Sequence, residues 1–364
     1  MNVLALEPYY GGSHKAFLDG WSQKSRHQWT IIGLPPYKWK WRMRHAPMTL
    51  SQKVLEYLNH GSEFDIIFCS DMLNLAEFKG LTPAISHLPA VIYFHENQLT
   101  YPVQNENERD YHYGFSNFTS AVSADAIWFN STYHKNSFYT ALENLLSRMP
   151  DFNCHQEFQS LENKSAVHYP GIDILPQPLK PLSNPPHLLW AARWEHDKNP
   201  LLFFNTMYKL QAAKSRFSLS VIGESFDDVP PVFLEAQQKL KDHIVHFGYQ
   251  DSRQQYLNVL KDADIIISTA DHEFFGIAVV EAAAMGLHPL LPDRLAYPEI
   301  FKSRDNPNFF YDGSEQDLYL KLHNLVHSPR IETANRNSLQ FLAQYTWTNL
   351  TRSLDNALEM HCKN

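Results

Sequence analysis

Two glutamates open the chemical reading. In the run His272-Glu273-Phe274-Phe275-Gly276-Ile277-Ala278-Val279-Val280-Glu281 the carboxylates stand eight positions apart. Residues 276–285 read as a helix that Gly286 ends. Glu273 then stands just before the helix and Glu281 inside it, with the unpaired N–H groups of Gly276 and Ile277 beside them. The layout offers hydroxyl acceptors at both ends and anion-binding amides between. Glu281 runs into Ala282-Ala283-Ala284, an apolar stretch in which a carboxylate needs partners. An ordinary amphipathic helix would leave one glutamate exposed instead. Residue types alone also permit a hydrolase, one carboxylate acting as acid and the other as nucleophile.

Three further constellations sit where short apolar runs end. Ala192-Arg193-Trp194-Glu195-His196-Asp197-Lys198-Asn199-Pro200 places two cations in one loop before a helix. Arg193 as a fork and Lys198 as a point charge can neutralise a diphosphate. The plainer alternative is a pair of salt bridges to Glu195 and Asp197. Tyr9-Tyr10-Gly11-Gly12-Ser13-His14-Lys15 follows the first apolar run, and Gly12 lets the backbone pass close to a ligand. A plain tight turn explains it about as well. Phe94-His95-Glu96-Asn97-Gln98 is unusually polar for a loop leaving a buried run. Neither GxGxxG nor HExxH occurs, and His112 completes no metal-ligand spacing. Asp262-Ala263-Asp264 is formally a DxD, but Asp262 reads as a helix end and Asp264 as the start of a strand, so no metal is expected.

The elements that must position these groups alternate along the chain. Strands are expected at 2–6, 29–33, 64–69, 90–94, 126–129 and 165–168, then at 187–192, 217–222, 243–247, 264–268 and 288–291. Near-continuous apolar runs such as Ile265-Ile266-Ile267 suit parallel strands covered on both faces. Strand–helix alternation gives an α/β fold, and 364 residues exceed one ordinary core. Residues 175–186, with five prolines, read as a stiff linker between domains 1–174 and 187–344. A helix at 345–364, with Leu350, Leu354 and Leu358 on one face, is expected to pack back on the first domain. A net charge of −8 excludes a general polyanion binder, so any nucleic-acid contact must be a local basic patch. Three scattered cysteines, no basic leader and no apolar run near the ~18 residues of a membrane span suit a cytoplasmic protein.

These residues resemble family 4 glycosyltransferases, whose hallmark is Glu, seven residues, Glu, with Phe-Gly after the first. The phrases YYGGSHK, KWKWRMRH, FHENQLTYPV, ERDYHYG, RWEHDKNP, GESFDDVP, HFGY, HEFFGIAVVEA and YPEIF are similar, in order and spacing, to the tRNA-queuosine mannosyltransferase family. Ala192 stands where the broader family usually has Gly, and Leu287-His288-Pro289 replaces its Gly-x-Pro stretch. The resemblance implies a GT-B fold, two Rossmann-like domains with parallel sheets facing across a cleft. It implies a retaining enzyme that transfers a hexose, mannose from GDP-mannose, to queuosine in the anticodon of tRNA-Asp. Carried over position by position, Arg193 and Lys198 would hold the donor diphosphate, and Glu273 the sugar hydroxyls beside the backbone of Phe275, Gly276 and Ile277. Glu281 would hold the ribose, Gly223 and Glu224 would border the nucleotide, and His95 would sit beside the anomeric carbon. Gly12 would admit the phosphates.

For the tRNA acceptor, the ribbon 38–45 alternates Lys38, Lys40, Arg42 and Arg44 with Trp39, Trp41 and Met43. In an extended segment this sets cations on one face for RNA phosphates and apolar groups on the other. A solvated edge strand is the competing reading. Glu96, Asn97 and the stretch Asn105–Tyr113 with Arg109 are further acceptor candidates. The rivals are a family 4 enzyme acting on a lipid or glycan, a UDP-sugar epimerase, and a non-catalytic sugar-nucleotide or RNA-binding protein. A lipid acceptor is disfavoured because the basic ribbon has strand periodicity.

Overall fold

The structure, a computed structural model, describes residues 1–103, 109–151, 154–225, 229–327 and 338–362. The chain forms two compact units, residues 1–173 with 347–364, and residues 174–346. Each contains one six-stranded sheet whose neighbouring strands all pair in parallel.

In the first unit the order is β1 (Asn2–Glu7), α1 (Gly12–Ser22), β2 (Gln28–Gly33), α2 (Trp39–Asn59), β3 (Ile66–Ser70), α3 (Leu75–Leu81), β4 (Ala90–Phe94), α4 (Tyr111–Ser123), β5 (Ala126–Phe129), α5 (Thr132–Leu146), α6 (His155–Asn163) and β6 (Ser165–Val167). The strands lie as β2-β1-β3-β4-β5-β6. Every residue of β3, β4 and β5 is buried, as expected where helices cover both faces. The order reverses between β1 and β3, and the loops after these strands and β4 therefore open on a switch-point crevice.

The second unit comprises β7 (His187–Ala191), α7 (Pro200–Ala212), β8 (Ser218–Ile222), α8 (Pro231–Lys239), β9 (Ile244–Gly248), α9 (Arg253–Asp262), β10 (Ile265–Ile267), α10 (Ile277–Ala284), β11 (His288–Pro292), α11 (Tyr297–Ile300), β12 (Phe310–Tyr311) and α12 (Glu315–His327). Its order is β12-β11-β10-β7-β8-β9, with the reversal between β7 and β10. The loops after those two strands carry Arg193, Lys198 and Glu273. The short edge strand β12 carries no alternation and has no counterpart among the expected strands.

The proline-rich segment is no free-standing linker. It is clamped along the second unit: Gln177 N–H donates to Ala284 O at 2.7 Å, and Lys180 N–H to Gly286 O at 2.9 Å. The ammonium of Lys180 also reaches Lys261 O at 2.8 Å. Proline removes donors from such a strap, so the non-proline residues carry its hydrogen bonds.

The last helix, α13 (Trp347–Glu359), belongs to the first unit. Leu354 and Leu358 join its apolar core. Trp347 lies where a Cβ on Gly20 or Gly171 would come within 2.2 Å of its ring, so both positions must stay bare. Buried Asp355 accepts from Trp21 Nε1 at 2.8 Å, Ser25 Oγ at 2.7 Å and Arg26 N–H at 3.0 Å.

The basic ribbon is corrected. Residues 39–59 form α2, not a strand. Met43, Ala46, Leu50 and Val54 are buried, a helical stripe that begins inside the ribbon and runs well beyond it. Alternation over eight residues fitted a strand only because the window stopped before that stripe. At about 100° per residue, Lys38 and Arg42 share one side while Lys40 and Arg44 share another.

Candidate active site

In the second unit the loop after β7 meets the loops after β8 and β10. A Cβ on Gly223 would lie 1.7 Å from Ala192 O, so only glycine lets these loops touch. Trp194 N–H then donates to Glu224 O at 2.9 Å. Lys198 is nearly buried, and its ammonium finds His272 O at 2.7 Å, Asp197 at 3.0 Å and Glu273 at 3.5 Å. Burial would lower its pKa, yet Glu273 and Asp197 outweigh burial and raise it. Burial would raise the carboxyl of Glu273, but Lys198, His272, the Phe275 N–H and Arg193 bring it below its ordinary value. Asp197 is lowered too, its burial outweighed first by Lys198. Arg193 stands 3.5 Å from Glu195, its side chain 35% exposed. Both ion pairs of the plainer sequence alternative therefore exist, and Lys198 is the more buried of the two cations.

Glu273 Oε1 accepts from Phe274 N–H at 3.1 Å and Phe275 N–H at 3.4 Å. The Phe275 amide thus serves Glu273, while Gly276 and Ile277 open the first turn of α10 with no helical partner for their N–H groups. Gly276 has φ +81, and a Cβ there would stand 2.9 Å from Tyr297 Cε1. The partner that buried Glu281 requires is Arg253, whose guanidinium grips both carboxylate oxygens, one of them at 2.9 Å. The sequence reading missed Arg253. Its signal was the stated need of Glu281 for a cation, which spacing along the chain could not locate.

In the first unit, Gly12 has φ +51 and open space where a Cβ would stand. His95, 8% exposed, leaves β4 with its N–H donating to Asp71 at 2.9 Å and its carbonyl accepting from Asn130 at 2.8 Å. Burial first, then His14 and His134, push its imidazole well below the ordinary value, so it is neutral. Asn97 is corrected as an acceptor contact: it is wholly buried and its Oδ1 accepts from Thr100 N–H at 3.0 Å, which builds the loop. Glu96 is half-buried beside it. Arg109 donates to the carbonyls of Leu99 at 3.0 Å and Tyr101 at 2.9 Å. With Arg148, Tyr111 and Asn144 it lines a cavity of about 330 Å³. Residues 105–108 of the candidate stretch lie outside the described residues.

At the start of α2, Arg42 is tied to Pro35 O at 2.8 Å and to His45 at 2.7 Å. The guanidinium of Arg44 lies 4.8 Å over the Tyr113 ring, and Lys40 lies 5.6 Å over Trp39. Lys38, Lys40 and Arg44 are exposed, as are Tyr37 and Trp41 at 62% and 61%. The formal DxD is structural: Asp264 is buried and accepts from His187 N–H at 2.7 Å and Ser183 Oγ at 3.1 Å.

Two doubly wound parallel sheets, with a basic loop and a glutamate–glycine helix start at the switch point of the second, define a glycosyltransferase of the GT-B class. Sucrose-phosphate synthase (tll1590) from Thermosynechococcus elongatus shares that fold, with a TM-score of 0.73 at 12% identity over 99% of both chains. Residues 172–339 match the family described as glycosyl transferases group 1, and residues 2–172 match tRNA-queuosine alpha-mannosyltransferase N-terminal. The tRNA-queuosine alpha-mannosyltransferase of Drosophila melanogaster is 36% identical over 358 residues, 95% of this chain and 92% of the fly protein. GDP-mannose:cellobiosyl-diphosphopolyprenol alpha-mannosyltransferase of Xanthomonas campestris is 29% identical over 175 residues, 44% of this chain and 43% of that protein. The chain belongs to the tRNA-queuosine alpha-mannosyltransferase family. It is a mannosyltransferase homologue that uses a nucleotide-sugar donor. Among the described residues no helix is long and apolar enough to cross a membrane.

Proposed function

We propose that this enzyme transfers mannose from GDP-mannose to queuosine in the anticodon of tRNA-Asp, with retention of anomeric configuration and no required metal. The observation that carries the reading is the likeness to the fly enzyme along nearly the whole chain, the acceptor-side unit included. The name of the Xanthomonas relative supports GDP-mannose as donor. A lipid acceptor is set aside on this family membership, because the strand periodicity first held against it does not survive in α2.

Arg193 and Lys198 hold the donor diphosphate in this reading and stabilise charge as it builds on the leaving phosphate. Glu273, oriented by two amides and Lys198, accepts sugar hydroxyls beside Gly276 and Ile277. Glu281, already gripped by Arg253, receives the ribose, while Gly223 and Glu224 border the nucleotide. Neutral His95 faces the sugar, and Gly12 admits the phosphates. Lys38, Lys40 and Arg44 meet RNA phosphates, and Tyr37 and Trp41 offer stacking faces. Arg42, committed to Pro35 and His45, shapes the helix start.

Initial rates with queuosine-containing tRNA and a panel of GDP-, UDP- and ADP-sugars test the donor. GDP-mannose is expected to give the highest kcat/KM. A higher value for any other sugar nucleotide refutes it. Excess chelator is expected to leave the rate unchanged, and a loss restored by a divalent metal contradicts the metal-free reading.

A further inference from the structure

The cavity beside Arg109 has no occupant in the reading above. It is bordered by the first unit alone, between the loop after β4, the start of α4 and the end of α5. Its volume of about 330 Å³ is at the small end of ordinary ligand pockets and gives room for a group the size of one nucleotide.

The floor is apolar and firmly built. Leu99 and Leu145 form it, each 7% exposed. Leu99 lies against a bare Gly114, where a Cβ would stand 2.5 Å from Leu99 Cδ2. The loop behind it is tied down by buried Asn117, whose Oδ1 accepts from Gln98 N–H at 2.7 Å and whose Nδ2 donates to Asp71 O at 2.9 Å. The rim is polar. Tyr111 is 42% exposed there, beside exposed Asn144 in the last turn of α5 and exposed Arg148 just past its end. Among the described residues, nothing pairs with the Arg148 guanidinium or the Asn144 amide. Arg109 adds a second guanidinium to the lining.

These groups suit the parts of a nucleotide. An apolar floor with a tyrosine ring takes a base, a side-chain amide reads a base edge, and guanidinium groups take phosphate. Two arginines at one cavity form the local basic spot that a nucleic-acid contact requires on a chain of net charge −8. The place also fits the acceptor. His95 and Leu99 are four residues apart on one loop, so their backbones lie at most about 14 Å apart.

We propose that this cavity takes one unpaired nucleotide of the tRNA anticodon loop, a neighbour of the nucleotide that is modified. Its base rests on Leu99, Leu145 and Tyr111, its edge meets Asn144, and its phosphate meets Arg148 and Arg109. The proposal deepens the acceptor reading and rests on it.

The test is binding of the tRNA-Asp anticodon stem-loop, followed by fluorescence anisotropy, for wild type, Tyr111→Ala, Ala141→Phe and Arg148→Gln. Ala141 lines the cavity, and phenylalanine there fills it without a change of charge. Tyr111→Ala and Ala141→Phe are each expected to weaken binding about tenfold, as for a lost base stack, with the salt dependence unchanged. Arg148→Gln is expected to weaken binding and to lower the salt slope by about one. Thermal melts show that each variant is folded, and exposed Tyr111 decides should the filled cavity fold poorly. Abasic replacement along the loop locates the base: one position is expected to cost wild type about tenfold and to cost Tyr111→Ala nothing further. Wild-type affinity in folded Tyr111→Ala and Ala141→Phe overturns the proposal and leaves the acceptor reading standing. A wild type that binds no such RNA defeats the acceptor reading, and the proposal falls with it. A free mononucleotide (AMP, CMP, GMP or UMP) that binds wild type at micromolar concentration and Ala141→Phe not at all makes this a free-nucleotide site and also overturns the proposal.

Discussion

Lys198 shows how a residue's type can suggest a role while its setting stays hidden in the sequence. A cation after the first strand of a nucleotide-binding unit invites a phosphate, and here that cation already satisfies Asp197, Glu273 and the His272 carbonyl. Lys198→Met is expected to lower kcat by roughly 100-fold or more, because an electrostatic partner of the leaving group is lost. Steady-state rates check it, and a change below threefold contradicts the assignment. The same cluster sets an acid limit on stability. Asp197 and Glu273 have lowered pKa values in the fold, so their contribution is present above the ordinary carboxylate range near ~4 and is lost as pH falls through the lowered values. Thermal melts should show this acid drop in wild type and a shallower one in Lys198→Met. His14, its Nδ1 3.1 Å from buried Glu7, acts with the opposite sign. Its raised pKa gives stability that is complete below about 6.5 and lost as pH rises through about 9, on the order of 3 kcal/mol. Glu7→Gln should flatten that alkaline loss.

At the scale of elements, the strands were legible because parallel strands buried on both faces leave apolar runs that need no partner to be seen. Residues 90–94 and 126–129 match their expected bounds for that reason. The start of α2 was not legible, because eight alternating residues satisfy a strand and a helix alike until Met43, Ala46, Leu50 and Val54 are considered together. The Arg253–Glu281 fork escaped as well, since it joins the start of α9 to α10 across the fold. The corrected geometry refines the proposed RNA surface. Replacing Lys38, Lys40 and Arg44 with Ala is expected to weaken tRNA binding and to lower its salt dependence, with donor binding spared. Arg42→Ala should chiefly lower the melting temperature. An unchanged salt slope in the triple variant removes α2 from the acceptor surface. For α13, Trp347→Ala leaves a void between Gly20 and Gly171 and is expected to cost about 3–5 kcal/mol. Chemical denaturation of the first unit reads this, and a cost below about 1 kcal/mol would contradict the packing role.

At the scale of the whole molecule, the two units divide the chemistry. In the proposed reading the second carries the diphosphate and sugar contacts on loops after β7, β8 and β10, and the first carries His95 and the acceptor surface. Glycosyl transfer was readable only through the family resemblance, since the glutamate pair and the two cations by themselves also fit a hydrolase or plain salt bridges. The acceptor was not readable from residue chemistry, because an exposed set of lysines, arginine and aromatics fits many polyanions. Likeness to the fly enzyme along nearly the whole chain narrows it. The decisive measurement is mass spectrometry of nucleosides from tRNA incubated with the enzyme and GDP-mannose. The expected result is conversion of queuosine to a hexosyl-queuosine in tRNA-Asp, with no product on tRNA lacking queuosine. Unmodified queuosine under every nucleotide sugar tried, or equal transfer to tRNA without it, would contradict the proposed function.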